Sequence, residues 1–349
     1  MINDGLNHDG SRWIADYPWI KDEAELPDNY YVALARLKST EKWLKRSKEL
    51  SELYDSQIND MFERNVARKL TDDEIRDYSG PVHYLPHHEV MKPDSQSTPC
   101  RIVFNSSAVF KGHVLNDYWA KGADLINSLL GVLLRFREEN VPIIGDISKM
   151  YHAVGISEKD QHTHRFLWRS LDEQRKPDIC VMTAVSFGDR PAGNIATAAL
   201  RKSAESFSEI YPESVGMITR NAYVDDIIDS VHDEETAKSR IAECNEILSH
   251  GSFKVKEWVT TSASGSDVQK EILAKSVTGE KSAQKVLGLG WDKKSDTFGY
   301  KIRLNFSPKI RNQRSGPDLK FDELPESVPL NLSKREILSQ VNGVFIRWV

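Results

Sequence analysis

The sequence predicts an α+β fold in which an antiparallel sheet is covered by helices. Amphipathic stretches with helical spacing alternate with short apolar runs that are typical of strands. Several neighbouring runs are joined by short polar turns, which favours hairpins over the long crossovers of a parallel sheet. The 349 residues, of which 39% are hydrophobic and 28% charged, are enough for one large domain or for two to three subdomains.

Composition argues against several classes of protein. The net charge of -5 gives no global attraction for nucleic acid, so a polyanion would need a local groove. The three cysteines, Cys100, Cys180 and Cys244, are far apart and odd in number, which argues against a disulfide framework and predicts a reducing compartment, the cytoplasm. The polar start MINDGLNHDG does not resemble a signal peptide, and the longest apolar run, SLLGVLLRF, is too short to span a membrane. No membrane partner is therefore expected.

The first half of the chain is predicted to form helices and then a hairpin. Residues 29–65 are helical in pattern, because apolar residues recur at helical spacing at Leu53, Tyr54, Ile58, Met61 and Phe62. The segments VHYLPHHEV and CRIVFNSS, joined by KPDSQSTP, predict two paired strands. ADLINSLLGVLLRFREEN then predicts a helix with one apolar face.

The second half alternates between strands and helices. VPIIGDI predicts a buried strand that ends at Asp146, and FLWRS and ICVMTAVSF predict further strands. PAGNIATAALRKSAESFSEI predicts a helix with Pro191 in its first turn, where proline is tolerated. MITRNAYVDDIIDSV predicts strand, turn and strand, and DEETAKSRIAECNEILSHG predicts a helix capped at Gly251. KVLGLGWDKKSDTFGYKIRL predicts another hairpin, and a last helix is expected from about Ser333.

Three aspartates interrupt this apolar pattern. Asp146 ends one predicted strand, whereas Asp225 and Asp226 lie between two apolar runs much further along the chain. An Asp-Asp pair by itself is most simply explained as a turn, because Asp favours turns. If folding brings all three carboxylates to one sheet edge, their charges repel and require cations. Hard oxygen ligands suit Mg²⁺, and two such ions about 4 Å apart can stabilise the attacking and leaving oxygens of a phosphoryl transfer.

The motifs around these aspartates resemble those of a known family. YVDD between apolar runs resembles the YxDD box of reverse transcriptases, and IIGDISKMYHAV, which contains Asp146 and Tyr151, is similar to their first palm motif. More narrowly, DISKMYHAVGISEKDQHTHRFLWR, TPCRIVFNSSA and VLGLGWD resemble the polymerase region of BEL/Pao-type LTR retrotransposons. The resemblance extends from about residue 13 to about residue 345.

This resemblance implies a right-hand polymerase with fingers, palm and a partial thumb. Residues 1–28 would form an N-terminal extension, and residues 29–140 a helical segment and fingers. Residues 141–275 would form the palm, with fingers elements around 160–190, and residues 276–349 a primer-grip hairpin and the start of a thumb. Relatives continue beyond SQVNGVF into a longer thumb, so the ending IRWV leads us to expect a truncated copy.

The resemblance also implies the catalytic residues. Asp146 and Asp225 would be the principal Mg²⁺ ligands, and Asp226 would complete the carboxylate cluster. The backbone carbonyl of Ile147 matches a further metal ligand. Two Mg²⁺ ions are expected as cofactors, and Mn²⁺ could replace them.

Further positions match the nucleotide-binding residues of the family. Tyr151 would be a steric gate that crowds a 2′-hydroxyl, or else a core aromatic of the palm. Arg101 would bind the triphosphate through its guanidinium group, and Lys92 is either a second triphosphate ligand or a solvated turn residue. Phe187, which stands where many reverse transcriptases have glutamine, and Gly188 would line the pocket or form a plain loop.

Later motifs imply contacts with the primer. The hairpin LGLGWD matches the primer grip through Leu287, Gly288, Leu289, Gly290 and Trp291. Trp291 is equally explained as packing between palm and thumb. FKVKEW offers Lys256 as a general acid for the departing pyrophosphate, with Lys254 as the other candidate, because Glu257 stands where many relatives have lysine.

The implied function is RNA-directed DNA synthesis. The partners would be an RNA or DNA template-primer, deoxynucleoside triphosphates and other segments of a Pol polyprotein, in the cytoplasm or in retroelement particles. The basic segment RLKSTEKWLKRSKEL is then a template-facing surface or simply a solvated helix face. Two alternatives stay open: a truncated, non-catalytic remnant that binds nucleic acid, and another two-metal nucleotidyl transferase.

Overall fold

A computed structural model of the chain describes residues 2–91 and 100–260 in full, together with the backbone of three strands between residues 283 and 299. The α-helices of the described residues are α1 (Tyr30–Leu44), α2 (Lys48–Glu63), α3 (Asp72–Asp77), α4 (Leu129–Arg135), α5 (Glu158–Gln161), α6 (Ala192–Glu205), α7 (Pro212–Asn221) and α8 (Glu234–His250). None of the helices in these ranges has the length and apolar character needed to cross a membrane.

The strands of the described residues form several small sheets. They are β1 (Leu6–His8), β2 (Trp13–Ala15), β3 (Ala67–Lys69), β4 (His87–Met91), β5 (Cys100–Phe104), β6 (Val109–Phe110), β7 (His113–Val114), β8 (Val141–Ile147), β9 (Gly155–Ile156), β10 (Arg165–Trp168), β11 (Asp178–Met182), β12 (Ala222–Tyr223), β13 (Asp226–Val231), β14 (Val255–Thr260), β15 (Ala283–Val286), β16 (Leu289–Asp292) and β17 (Thr297–Gly299). The sheet orders are β12-β13-β8-β14, β1-β2-β9, β10-β11-β3, β15-β16-β17, β4-β5 and β6-β7.

The four-stranded sheet β12-β13-β8-β14 is antiparallel throughout and is buried on both faces. Successive isoleucines of β8 belong to different clusters, because strand side chains alternate between faces. Ile143 belongs to the main core, which also contains residues of α6, α7 and α8. Ile144 packs with Val132 and Phe136 in a smaller cluster at α4. Burial on both sides explains why the strand is continuously apolar up to Asp146.

Most of the predicted elements are present. Helices α1 and α2 lie within the segment 29–65, and β4 and β5 pair as the predicted antiparallel hairpin. The turn between these two strands, the turn at KKSD and the helix expected from Ser333 lie outside the described residues. Helix α8 ends at Gly251 as predicted, although this glycine has no positive φ: a side chain there would collide with Ser203 and Phe253.

Two predicted elements are wrong. The helix expected over ADLINSLLGVLLRFREEN is confined to α4, because the Asn127 side chain donates to the carbonyls of Thr219 and Ala222 and ties the preceding segment to α7. MITRN was predicted as a strand but forms the end of helix α7, which begins at Pro212. The buried residues of α7 recur at helical spacing and are Ser214, Met217, Ile218 and Asn221.

The N-terminal residues are integrated into the fold. Strand β2 pairs in parallel with β9, and Trp13 Nε1 donates to Ser203 Oγ at 2.8 Å. His8 Nε2 lies 2.7 Å from the backbone carbonyl of His250, so this nitrogen carries the proton. The first strands are thereby fixed to β9 in the middle of the chain and to the ends of α6 and α8.

Gly145, the residue before Asp146, has no room for a side chain. A Cβ atom there would lie 2.5 Å from Cζ3 of Trp258, whose indole packs across β8 from the opposite position on β14. We therefore expect Gly145→Ala to reduce the free energy of unfolding by about 1–3 kcal/mol, the usual cost of overpacking. Gly131→Ala on α4 is the control: its new methyl group would lie 3.2 Å from Arg135 Nη1 and in ordinary contact with Ser128, and alanine favours a helix. Urea denaturation of both variants tests this, and equal stabilities would contradict it.

Candidate active site

The hairpin β12-β13 carries two of the three aspartates. Tyr223 and Asp226 are the last paired residues of the hairpin, so Val224 and Asp225 form its turn. Val224 has φ 58°, a left-handed conformation that is strained for a β-branched residue. Asp225 is thus a turn residue, as the pair alone suggested, whereas Asp226 begins strand β13.

The third aspartate lies on the neighbouring strand. Asp226 on β13 is directly opposite Asp146 on β8. The backbone N–H of Ile147 donates to the backbone carbonyl of Asp225 at 2.7 Å, which fixes the turn against the end of β8. The sheet therefore brings Asp146, Asp225 and Asp226 together at the edge where the central strand β8 ends and the central strand β13 begins.

The three carboxylates disfavour one another's charge. Burial, and then the charges of Asp225 and Asp146, raise the pKa of Asp226 to about 7. The pKa of Asp225 is also raised, by burial and by Asp146, while the charge of Arg101 opposes the shift. A cation at this edge would relieve the repulsion and favour the ionised forms.

The chemistry of this cluster fits a hard cation held jointly with a phosphate-bearing ligand. In the part of the chain that the structure describes, no three His, Cys, Asp or Glu side chains are grouped so as to hold a metal ion by themselves. Mg²⁺, however, is commonly bound by one or two carboxylates and completes its shell with water and substrate phosphates. Asp146 can provide such a pair of oxygen donors with Asp225, whose pKa is raised by burial and by the charge of Asp146, and Asp226 is directly opposite Asp146 on the adjacent strand.

Because burial, and then this repulsion, penalise the ionised form, neutralising Asp226 is expected to stabilise the protein in the absence of divalent cations. The folded pKa is raised, so the cost of ionising Asp226 is absent below the unfolded value of about 3.9 and complete above pH 7. At pH 8 we expect Asp226→Asn to be more stable than the wild type by about 1–3 kcal/mol. The difference should shrink towards pH 4. Thermal unfolding at the two pH values measures this difference in stability. A variant less stable than the wild type at pH 8 would refute the conclusion that the charge of Asp226 destabilises the fold.

Tyr151 and Phe187 lie beside the carboxylates. Tyr151 follows β8 on a short 3-10 helix, Met150–Ala153, and its ring centroid is 4.4 Å from that of Phe187. Burial, and then the charge of Asp225, raise the pKa of Tyr151, so this side chain is close to the carboxylate cluster. Phe187 is 45% exposed. The two rings form an aromatic wall next to the aspartates.

The backbone conformation and the close packing of the loop after Phe187 require a glycine at position 188. Gly188 has φ 105°, and a Cβ atom there would lie 2.9 Å from the backbone oxygen of Phe104. Asn116 Nδ2 donates to the carbonyl of Gly188 at 2.9 Å, and Asn116 Oδ1 accepts from the backbone N–H of Arg190 at 2.7 Å. This clamp was not predicted, because Asn116 carries no local signal of its long-range partners.

The remaining predicted residues are placed as follows. Arg101 is exposed on β5, and its positive charge acts on Asp225. Lys256 is exposed on β14, next to β8, and the carbonyl of Lys254 accepts from Ser148 N at 2.8 Å. Lys92, Leu287 and Gly288 lie outside the described residues, whereas Leu289, Gly290 and Trp291 lie on β16, which pairs with β15 and β17.

The basic segment RLKSTEKWLKRSKEL forms the second half of α1, the link that follows it and the start of α2. Arg36, Lys38, Lys42 and Lys45 are exposed, while Glu41 is buried. A cavity of about 440 Å³ between α1, β4 and the hairpin β6-β7 is lined by residues such as Arg36, and none of its lining residues is a site carboxylate. A solvated face and a template-facing surface both remain predictions for this segment.

A buried polar cluster behind the loop was also not predicted. Asp189 is buried and accepts from Tyr17 Oη at 2.6 Å, from Ser106 Oγ and from His164 Nε2 at 3.2 Å. His164 Nδ1 lies 2.7 Å from the carbonyl of Asp160. The Asp189 carboxylate and the Asp160 carbonyl can only accept hydrogen bonds. Both ring nitrogens of His164 therefore carry a proton, and the imidazole is charged. The Asp189 within FGDRPAG is therefore a structural ion-pair partner behind the nucleotide-binding candidates Phe187 and Gly188.

Comparison with known proteins identifies the fold. No family model and no curated protein matches the sequence. A solved structure of foamy viral protease-reverse transcriptase with double-stranded DNA aligns with a TM-score of 0.51 and 16% identity, over 82% of this chain and 38% of that chain. The same enzyme with an RNA/DNA hybrid gives a TM-score of 0.51 and 16% identity, over 85% and 31%.

The chain has the α+β fold of a reverse transcriptase polymerase, which confirms the predicted fold class. At this level of identity the likeness concerns the fold alone. The chain spans less than two fifths of the length of either foamy virus protein.

Proposed function

We propose that this chain is an RNA-directed DNA polymerase domain of a BEL/Pao-type retroelement. The observation that carries the proposal is the position of Asp146 opposite Asp226, with Asp225 in the adjoining turn. Three carboxylates at one sheet edge, on a reverse transcriptase fold, match what two-metal nucleotidyl transfer requires.

Each residue of the candidate active site would have a separate role in primer extension. Asp146 and Asp225 would hold the metal, with Asp226 and the carbonyl of Ile147 completing the oxygen donors. Two Mg²⁺ ions, or Mn²⁺, supply activation of the primer hydroxyl and neutralisation of the leaving pyrophosphate when bound. Tyr151 would restrict the sugar.

The flanking cations would act on the phosphates. Arg101 would bind the triphosphate, since a guanidinium group stays charged and pairs with phosphate through two hydrogen bonds. Lys256, exposed beside the sheet edge, would protonate the pyrophosphate. The template-primer would be RNA or DNA, the substrates deoxynucleoside triphosphates, and the setting a Pol polyprotein in the cytoplasm or in a retroelement particle.

Primer extension tests this proposal. The purified chain is incubated with a labelled primer on an RNA template and on a DNA template, deoxynucleoside triphosphates, and Mg²⁺ or Mn²⁺. We expect template-dependent elongation that stops when the divalent cation is chelated. Duplex binding without elongation under any of these conditions would contradict the proposal.

That negative outcome would favour a second candidate, a non-catalytic domain that binds nucleic acid. Incorporation that ignores the template would instead indicate another two-metal nucleotidyl transferase.

A further inference from the structure

A cluster of charged residues joins helix α2 to the turn that follows Asp146. Asp60, near the end of α2, accepts from Arg64 Nε at 2.8 Å and from Lys149 Nζ at 3.2 Å. Arg64 Nη1 reaches Nδ1 of His152 at 3.3 Å. Hydrogen bonds and charges from Arg64 and Lys149 outweigh the effect of burial and lower the pKa of Asp60, so its carboxylate is ionised.

The turn held by this cluster has an unfavourable backbone. Lys149 has φ 50° and ψ 41°, the left-handed conformation that only glycine, and to a lesser degree Asn and Asp, adopt readily. The turn continues as a short 3-10 helix, in which His152 N donates to the carbonyl of Lys149 at 2.9 Å and Val154 N donates to that of Tyr151 at 3.2 Å. Such strain persists where surrounding contacts hold it. The ion pair between Lys149 and Asp60 is one of these contacts.

The second branch of the cluster reaches the aromatic wall. Burial, and then the charges of Arg64 and Lys149, lower the pKa of His152 to about 3, so its ring is neutral. Its Nδ1 is therefore free to accept from Arg64. The same ring contacts Phe187 edge-on, with centroids 5.7 Å apart. The neighbouring residue Tyr151 also contacts Phe187, with ring centroids 4.4 Å apart.

We propose that Asp60 is a positioning residue for the selection of the incoming sugar. Through Lys149 it holds the turn that aims Tyr151 at the carboxylates, and through Arg64 and His152 it supports Phe187. The inference rests on the proposed function, in which Tyr151 discriminates against a 2′-hydroxyl. Asp60 itself lies on α2 and acts only through these neighbours.

The first experiment compares deoxynucleotide with ribonucleotide incorporation. For each variant the ratio of kcat/KM for the two substrates is measured on one template-primer. We expect Asp60→Ala to lower this ratio by about tenfold, because small displacements of a positioned group have large kinetic effects. Asp60→Glu, which keeps the charge, should restore most of it. An unchanged ratio in Asp60→Ala would overturn the proposal.

The matched control is Asp178→Ala. Asp178 also bridges two cations, Lys69 at 2.7 Å and Arg175 at 2.9 Å, but it lies on the sheet β10-β11-β3. Loss of this pair should leave the ratio as in the wild type. An equal fall of the ratio in both variants would show a general loss of stability and would overturn the positioning role.

A second measurement does not depend on catalysis. Hydrogen exchange at the amides of His152 and Val154 reports whether the turn opens, and it should be faster in Asp60→Ala than in the wild type or in Asp178→Ala. If the wild type fails to extend primers, the proposed function fails, and this measurement still decides the structural role of Asp60. Unchanged exchange would overturn that role.

Discussion

Asp225→Asn is expected to abolish primer extension while leaving the fold intact. Asparagine keeps the shape of the side chain, and the backbone carbonyl that binds Ile147 is unaffected. What is lost is one negative charge from the proposed metal site. Metal ions contribute several kcal/mol of transition-state stabilisation, and each 1.36 kcal/mol is a factor of ten, so we expect a loss of about a thousandfold or more.

Asp233→Asn is the matched control for this prediction. Asp233 caps helix α8 by accepting from Thr236 N at 2.7 Å, and asparagine caps helices equally well. It therefore removes an acidic charge outside the site without a change of structure. Extension rates of the two variants and of the wild type, with duplex binding measured in parallel, give the result. Activity of Asp225→Asn close to that of the wild type would rule out its role as a metal ligand.

Among the variants proposed for this protein, Asp189→Ala is expected to cause the largest decrease in the free energy of unfolding. Asp189 is buried and bonded to His164, which carries a charge, and to two hydroxyl groups. Removing one partner of a buried ion pair costs about 3–5 kcal/mol, because the other charge is left uncompensated. The partly exposed Asp178, whose partner Lys69 is exposed, provides the comparison, since its replacement by alanine should cost about 1 kcal/mol or less. Urea denaturation of both variants tests the difference.

The stability contributed by this pair should depend on pH in a specific window. The charge of His164 lowers the pKa of Asp189 against the effect of burial, so the contribution of Asp189 exists above about pH 3.9 and is lost as the pH falls. Burial opposes the shift, but the charge and hydrogen bond of Asp189 raise the pKa of His164, so its contribution exists below about pH 6.5 and is lost as the pH rises through the folded value. The pair therefore stabilises most between about pH 4 and 6.5.

A double variant keeps this prediction testable even if Asp189→Ala does not fold. In Asp189→Asn/His164→Gln both groups are neutral, so no buried charge is left alone. This protein should recover part of the lost stability and lose the pH dependence assigned to the pair. A double variant less stable than Asp189→Asn alone would show that the two residues do not form an ion pair.

Local sequence was sufficient to predict the elements that carry the carboxylates. The apolar run before Asp146 and the run after Asp225 form the predicted strands β8 and β13, because strand formation here is driven by burial on both faces. The pairing of Asp226 with Asp146 required folding to bring distant segments together, and only the order of motifs suggested it. The resemblance to reverse transcriptases predicted that these aspartates lie close together, and the observed pairing of β13 with β8 agrees with that prediction.

The contacts that support the site were not predictable in this way. Asp60, Arg64 and Lys149 are charged residues that a sequence places on solvated surfaces, and their association depends on how α2 lies against the turn that follows β8. Asp189 and His164 likewise meet only after folding. The missed helix α7 is different: Met217 and Ile218 already showed helical spacing with Ser214, which strand-like residues nearby obscured.

The parallel pairing of β2 with β9 has a consequence during translation. Gly155, the pairing partner of Ile14, is synthesised only about 7 to 28 s after Ile14 at the usual 5–20 residues per second. His8 waits longer still, until His250 has been synthesised. Throughout that interval the edge of β2 that later pairs with β9 is uncovered on the nascent chain, and an unpaired strand edge can associate with other chains.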